Sequence, residues 1–158
     1  MNSTSSSAVI SETEPVGWSP SQRLTAIARP INVLMIEDDP EAAQLAEFFL
    51  MEDPEDPFRV ELCRRLVDAF HRLAKPGIDV ILLDLGLPEL SGYKSYRAIE
   101  AATAHSIPVV ICTAEDRIAV RELTLDFGAA DYLLKSTLTS EQLRHSLRSA
   151  VQRGWRKH

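Results

Sequence analysis

At 158 residues, with 45% hydrophobic and 25% charged residues, the chain has the size and balance of one soluble globular domain with a real core. A formal net charge of −6 argues against nonspecific binding to nucleic acid or an anionic membrane, no apolar run approaches the ~20 residues of a membrane helix, and the N-terminus lacks the basic-then-apolar order of a signal peptide. The two cysteines, Cys63 and Cys112, fall in expected strands and read as buried free thiols, with a disulfide as the alternative; no Cys/His cluster has zinc spacing, and a cytoplasmic protein is the resulting expectation.

Residues 1–29 are rich in Ser, Thr, Pro and Glu and carry only isolated large apolar side chains, of which Trp18, Leu24 and Ile27 are those able to dock on a neighbour. Such a stretch buries too little surface to offset its ordering entropy and is expected to be a mostly disordered arm. The folded domain is expected over residues 30–154, with 155–158 as a tail. Ile31–Ile36 is an apolar run that predicts the first strand, followed at once by Glu37, Asp38 and Asp39. Pro40 suits a first helical turn with Asp39 as its N-cap, and Ala42, Leu45, Ala46 and Phe49 recur at helical spacing as the core face. Phe58–Cys63 predicts a second strand, and Leu66, Val67, Ala69, Phe70 and Leu73 a second helix stopped by Pro76-Gly77.

Asp79–Leu83 is the third strand, a run apolar enough to be buried on both faces, and it delivers Asp84 to its C-terminal end. Gly86 and Pro88 then break regular structure, and Ser91 offers a cap for a third helix carrying Tyr93, Tyr96 and Ile99. Ile107–Cys112 predicts a fourth strand ending in Thr113. Ile118, Val120, Leu123 and Phe127 predict a fourth helix closed by Gly128. Asp131–Leu134 is the fifth strand, ending in Lys135, and the last helix starts at a Thr139–Gln142 capping box with Leu143, Leu147, Ala150 and Val151 on its apolar face. The basic residues Arg148, Arg153, Arg156 and Lys157 complement the dipole of that helix.

Five strand–helix units with right-handed crossovers predict an α/β doubly wound, five-stranded parallel sheet. Strand order 2-1-3-4-5 gathers the C-terminal ends of strands one, three, four and five, where such sheets place their chemistry. Those ends carry Glu37 and Asp38, Asp84, Thr113 and Lys135. Three close carboxylates repel and call for a cation, and oxygen-only ligands favour a hard ion, foremost Mg²⁺. Asp38 and Asp84 are expected as direct ligands, Glu37 as the holder of a coordinated water, and the backbone carbonyl of Gly86 as a further oxygen. Asp84 is also placed to attack phosphorus, with Lys135 neutralising phosphoryl charge and the Thr113 hydroxyl donating to a phosphoryl oxygen. Each residue has a plainer role open to it: helix-start charge for Glu37–Asp39, a cap for Thr113 or Asp116, a surface lysine for Lys135. Their joint placement argues against coincidence.

With those residues placed, the sequence closely resembles the receiver domain of two-component response regulators, through MIEDDP at 35–40, LLDLGLPELSG at 82–92, PVVICTAED at 108–116 and GAADYLLKS at 128–136. The resemblance spans residues 31 to about 153 and implies the flavodoxin-like, chemotaxis-type fold. It makes Glu37 and Asp38 the metal-binding acidic pair, Asp84 the phosphoacceptor, Thr113 the switch hydroxyl, Lys135 the phosphate-contacting lysine and Tyr132 the switch aromatic. It implies a histidine kinase or histidine phosphotransfer protein as phosphoryl source, a downstream protein target, and a homodimer surface on the fourth helix, fifth strand and fifth helix. The chain departs from the family at Ser136, where a proline behind a cis bond is usual. A cis bond before serine costs about 3 kcal/mol, which favours a trans bond and a reshaped loop.

Too few residues follow Val151 for an output domain, so a protein contact is the expected output if the chain is complete. Gly86 and Glu115, two positions after Asp84 and Thr113, are expected to flank the path of a water that attacks the phosphoryl group. Three alternatives stand beside this: a phosphate-independent interaction module, a fragment of a hybrid kinase or multidomain sensor, and an Asp-dependent phosphohydrolase. The last lacks its usual Asp-x-Asp motif after the first strand, where this chain has Glu37-Asp38-Asp39.

Overall fold

The computed structural model describes residues 29–156, with side chains through residue 154. The expectations for the N-terminal arm, Trp18, Leu24 and Ile27 included, lie outside the described residues. The elements alternate without exception: β1 (Ile31–Ile36), α1 (Pro40–Met51), β2 (Phe58–Cys63), α2 (Leu66–Leu73), β3 (Val80–Leu83), α3 (Tyr93–Thr103), β4 (Val109–Thr113), α4 (Ile118–Asp126), β5 (Asp131–Leu134) and α5 (Ser140–Arg156). Every strand pairing is parallel and the order is β2-β1-β3-β4-β5. α5 runs through Arg156, two residues beyond the expected domain end.

Alternation along the strands divides the core in two. Leu34, Ile36, Ile81, Leu83, Val109 and Ile111 face α2 and α3, where Leu66, Ala69, Tyr96 and Ile99 meet them. Val33, Met35, Val80, Leu82, Val110 and Cys112 face α1 and α5, against Ala43, Ala46, Leu50, Leu143 and Leu147. The central strands β3 and β4 are buried at every position, as a strand covered on both faces must be.

Several helix details differ from the sequence expectation. α1 turns Ala43, Ala46 and Leu50 inward and leaves Leu45, Phe48 and Met51 exposed. Apolar residues surround this helix, so spacing alone picks no face; the small alanines win because they let the helix approach the sheet. α4 buries only Thr124, while Ile118, Leu123 and Phe127 are exposed. Ser91 does not cap α3: Gly92, at φ +59, takes the N-cap position with no side-chain hydrogen bond. Strands β3 and β4 begin at Val80 and Val109, one and two residues later than expected. Cys63 is half-buried rather than buried, because β2 is an edge strand; it and Cys112 are free thiols.

Other local signals hold. Asp39 Oδ1 accepts the Glu41 amide at 3.0 Å, and the Thr139–Gln142 box closes in both directions, at 3.1 and 3.2 Å. Gly128, one residue past the C-cap of α4, sits at φ +110, a conformation that L side chains rarely adopt. A Cβ there would also lie 3.4 Å from the Tyr96 hydroxyl. Gly128→Ala is therefore expected to cost about 1–2 kcal/mol in urea unfolding, with an unchanged slope of the transition.

Candidate functional site

The parallel sheet brings the C-terminal ends of β1, β3, β4 and β5 to one edge, and with them the polar residues that end each strand. Carboxylate oxygens of Glu37, Asp38 and Asp84 lie within 4.8 Å of one another. Glu37 and Asp84 are buried, at 5% and 6% exposure, while Asp38 opens to solvent. Lys135 reaches from the end of β5 to both buried carboxylates, with Nζ 2.7 Å from Glu37 Oε2 and 3.1 Å from Asp84 Oδ2. Each carboxylate also receives a backbone amide: Asp39 N–H donates to Glu37 Oε1 at 3.1 Å and Gly86 N–H to Asp84 Oδ1 at 3.0 Å. The expected residues from all four strand ends thus converge, and the donor set is oxygen throughout, as a hard divalent cation requires.

The two buried carboxyls respond in opposite directions. Burial, joined by the charge of Asp84, raises Glu37 to about 7 against the pull of Lys135 and the Asp39 amide. Burial also pushes Asp84 up, but the Gly86 amide, the Lys135 charge and the Thr113 hydroxyl outweigh it and hold the carboxyl below its usual range. Asp84 is therefore the more readily ionised member of the pair. Burial depresses Lys135, but Glu37 and Asp84 more than offset it and keep the ammonium charged.

Gly86 leaves room at the site. A Cβ on it would lie 3.4 Å from Asp84 Oδ2, in ordinary van der Waals contact, so a larger side chain there would sit directly beside that carboxylate. Thr113 is buried at the end of β4, and its hydroxyl accepts the Glu115 amide at 3.3 Å. The Tyr132 hydroxyl donates to the Glu115 carbonyl at 2.7 Å from a ring that is 5% exposed. Thr113 and Tyr132 thus grip Glu115 from either side, a link that residue spacing does not reveal. Glu115 itself pairs with Arg117, which precedes α4. Neither Thr113 nor Asp116 caps that helix, whose N-cap is Arg117 without a side-chain bond.

Cys112, missed as a neighbour of the site, lines a cavity of about 60 Å³ beneath Asp84, Glu37 and Lys135, under α1. Burial pushes its thiol up to about 12. Iodoacetamide at pH 8 is expected to label Cys63 well before Cys112 in the native protein, checked by peptide mass mapping. No peptide bond among the described residues is cis, so Lys135–Ser136 is trans, and a 3₁₀ turn over Lys135–Thr137 carries the chain to α5.

The sequence profile of the response regulator receiver domain matches residues 33–148. The chain belongs to the response regulator receiver family. As a receiver domain, it is 37% identical over 105 residues to the swarming motility regulation protein RssB of Serratia marcescens, covering 66% of this chain and 46% of that protein. It is 31% identical over 124 residues to the transcriptional regulatory protein TrcR of Mycobacterium tuberculosis, covering 78% and 46%. The chain therefore spans about half the length of the curated relatives it matches. Among solved structures, a response regulator receiver domain from Clostridium thermocellum superposes with a TM-score of 0.70 at 25% identity, over 81% of this chain and 99% of that one. The receiver domain of the sensor histidine kinase PA1611 from Pseudomonas aeruginosa, with a magnesium ion coordinated in its active site cleft, superposes at 0.65 and 28% identity over 78% and 99%. No helix among the described residues is long and apolar enough to cross a membrane.

Proposed function

We propose that this receiver domain accepts a phosphoryl group on Asp84 from a histidine kinase or histidine phosphotransfer protein in a Mg²⁺-dependent reaction, and that it signals through altered protein contacts. Support comes first from the Asp84 carboxylate held between the Gly86 amide at 3.0 Å and the Lys135 ammonium at 3.1 Å. An Asp84 oxygen attacks the phosphorus of the donor; a new O–P bond forms as the P–N bond to the donor imidazole breaks, and that imidazole leaves with the electron pair and takes up a proton. Glu37, Asp38 and Asp84, whose carboxylate oxygens cluster, together with the Gly86 carbonyl, would hold Mg²⁺, and the ion would supply charge neutralisation to the phosphoryl oxygens. Lys135 contributes a second positive charge there, and the Thr113 hydroxyl a hydrogen bond. Drawing Thr113 toward a phosphoryl oxygen pulls on Glu115 and, through it, on Tyr132 and the start of α4.

The exposed surface agrees with protein partners on both sides of the reaction. α1 leaves the acid cluster at Pro40 and carries Leu45, Phe48 and Met51 outward, an apolar strip suited to a donor protein. α4 exposes Ile118 and Leu123, apolar side chains suited to a downstream target or to a second copy of the chain, while Phe127 turns toward α3 and stacks on Tyr93 under Arg97. A cytoplasmic location follows from a kinase partner of this class.

Intact mass measurement after incubation with acetyl phosphate tests the proposal. With Mg²⁺ the wild type should gain one phosphoryl group, and it should gain none in EDTA or as Asp84→Ala. A mass gain that persists in Asp84→Ala, or steady turnover of the donor as a metabolite, would favour a different chemistry.

A further inference from the structure

At the end of the sheet opposite the acid cluster, a cleft of about 440 Å³ opens between the start of β4, the approach to β5, and the last turns of α3 and α5. That volume lies within the range of small-molecule pockets. Small residues keep it open: Gly128, Ala129, Ala150 and Gly154 line it, and a Cβ on Gly154 would come 3.6 Å from the Pro108 ring.

Charge decides what the cleft suits. Glu100 is largely buried, and its carboxylate is already met on three sides: Oε1 is 3.0 Å from His105 Nδ1 and 3.0 Å from the Tyr96 hydroxyl, and Oε2 is 3.8 Å from Arg97 Nε. Arg153 spends one N–H on the Ala130 carbonyl at 3.0 Å, and no carboxylate among the described residues pairs with it. Among the charged groups that line the cleft, Arg153 is therefore the one without an ionic partner among the described residues. Ala104 and His105 both adopt left-handed backbone, at φ 49 and 62, uncommon for two successive non-glycine residues, and this turn sets the His105 imidazole at the cleft wall.

We propose that this cleft binds a small organic carboxylate, its charge on the Arg153 guanidinium and its apolar body against Pro108, Val109, Ala129 and Ala150. The Tyr96 hydroxyl in the cleft wall also lies 3.2 Å from the carbonyl of Phe127, the C-cap of α4. An occupant thereby reaches the helix whose outer face is the proposed output surface. Binding itself does not depend on the acid cluster, so it stands or falls separately from phosphorylation.

Benzoate, titrated into the ¹⁵N-labelled full chain without Mg²⁺ or phosphodonor, is the test. Saturable amide shifts are expected at Val109, Ala129, Ala130 and Gly154 by about 10 mM. The neutral isostere benzamide and the cation benzylamine should bind at least about tenfold more weakly, as should benzoate to Arg153→Gln, a replacement at an exposed helix position. Shifts at Leu123 and Phe127 that disappear in Tyr96→Phe would support the link to α4; cleft shifts without them would overturn that link. Absence of saturable shifts, equal or tighter binding of benzylamine, or an unchanged response in Arg153→Gln would overturn the site.

Discussion

Lys135→Ala is expected to slow phosphoryl uptake from a small donor by about 10²–10³-fold, the usual cost of removing one fixed group that stabilises developing charge. Among the described residues, Lys135 is the one cation bonded to Glu37 or Asp84, at 2.7 and 3.1 Å. Its loss also removes two of the forces that hold Asp84 ionised, while burial continues to push that carboxyl upward. The same change leaves two buried carboxylates without a counter-charge. Breaking a fully buried ion pair costs about 3–5 kcal/mol, but the Lys135 side chain is 24% exposed, so a loss of about 2 kcal/mol is the expectation in metal-free buffer. Stopped-flow uptake and urea unfolding measure the two effects separately. Uptake within threefold of wild type, roughly 0.6 kcal/mol, would remove Lys135 from the reaction.

Glu37 makes metal-free stability fall with rising pH, and Glu37→Gln should flatten that fall. The raised carboxyl keeps its proton in the folded state above its ordinary value of 4.5, where the unfolded chain has released it. The native state then binds more protons, so stability is lost from about pH 4.5 until the folded carboxyl ionises at about 7. The expected loss is about 1–3 kcal/mol. The other two site groups do not alter the sign in that window. The stability that Asp84 contributes is present above its ordinary 3.8 and is lost only in acid, and that of Lys135 is present below 10.5 and is lost only in base.

Mg²⁺ should act in the opposite sense, because it needs the ionised carboxylate. Its stabilising effect should grow over the same pH range and reach about 2.7 kcal/mol at a hundredfold excess over Kd. Thermal unfolding with and without Mg²⁺ at pH 5 and pH 8 reads both trends. The Mg²⁺ increment should vanish in Asp38→Ala and in Asp84→Ala.

Much of this site was legible in the sequence because strand ends are marked by chemistry. A short apolar run ending in a charged or hydroxyl residue gave β1 with Glu37 and Asp38, β3 with Asp84, and β5 with Lys135, and topology alone brings those ends together. Burial on helix faces was less legible. In α1 apolar residues lie all round the helix, and in α4 the one buried residue is a threonine that satisfies its hydroxyl on the Val120 carbonyl at 2.6 Å. The tie from Tyr132 through the Glu115 carbonyl was hidden because a backbone acceptor leaves no mark on residue identity. The cluster of Tyr96, Glu100 and His105 was hidden because it joins α3 to an unusual turn whose two left-handed residues are not glycines.

Borohydride trapping reads the proposed covalent bond between phosphorus and one aspartyl oxygen directly. Wild-type protein is incubated with Mg²⁺ and acetyl phosphate, reduced with borohydride, digested and mapped by mass. An acyl phosphate on Asp84 predicts homoserine at position 84 and nowhere else, dependent on Mg²⁺. Homoserine at another aspartate, or none at position 84 in protein whose mass shows a phosphoryl group, would contradict it.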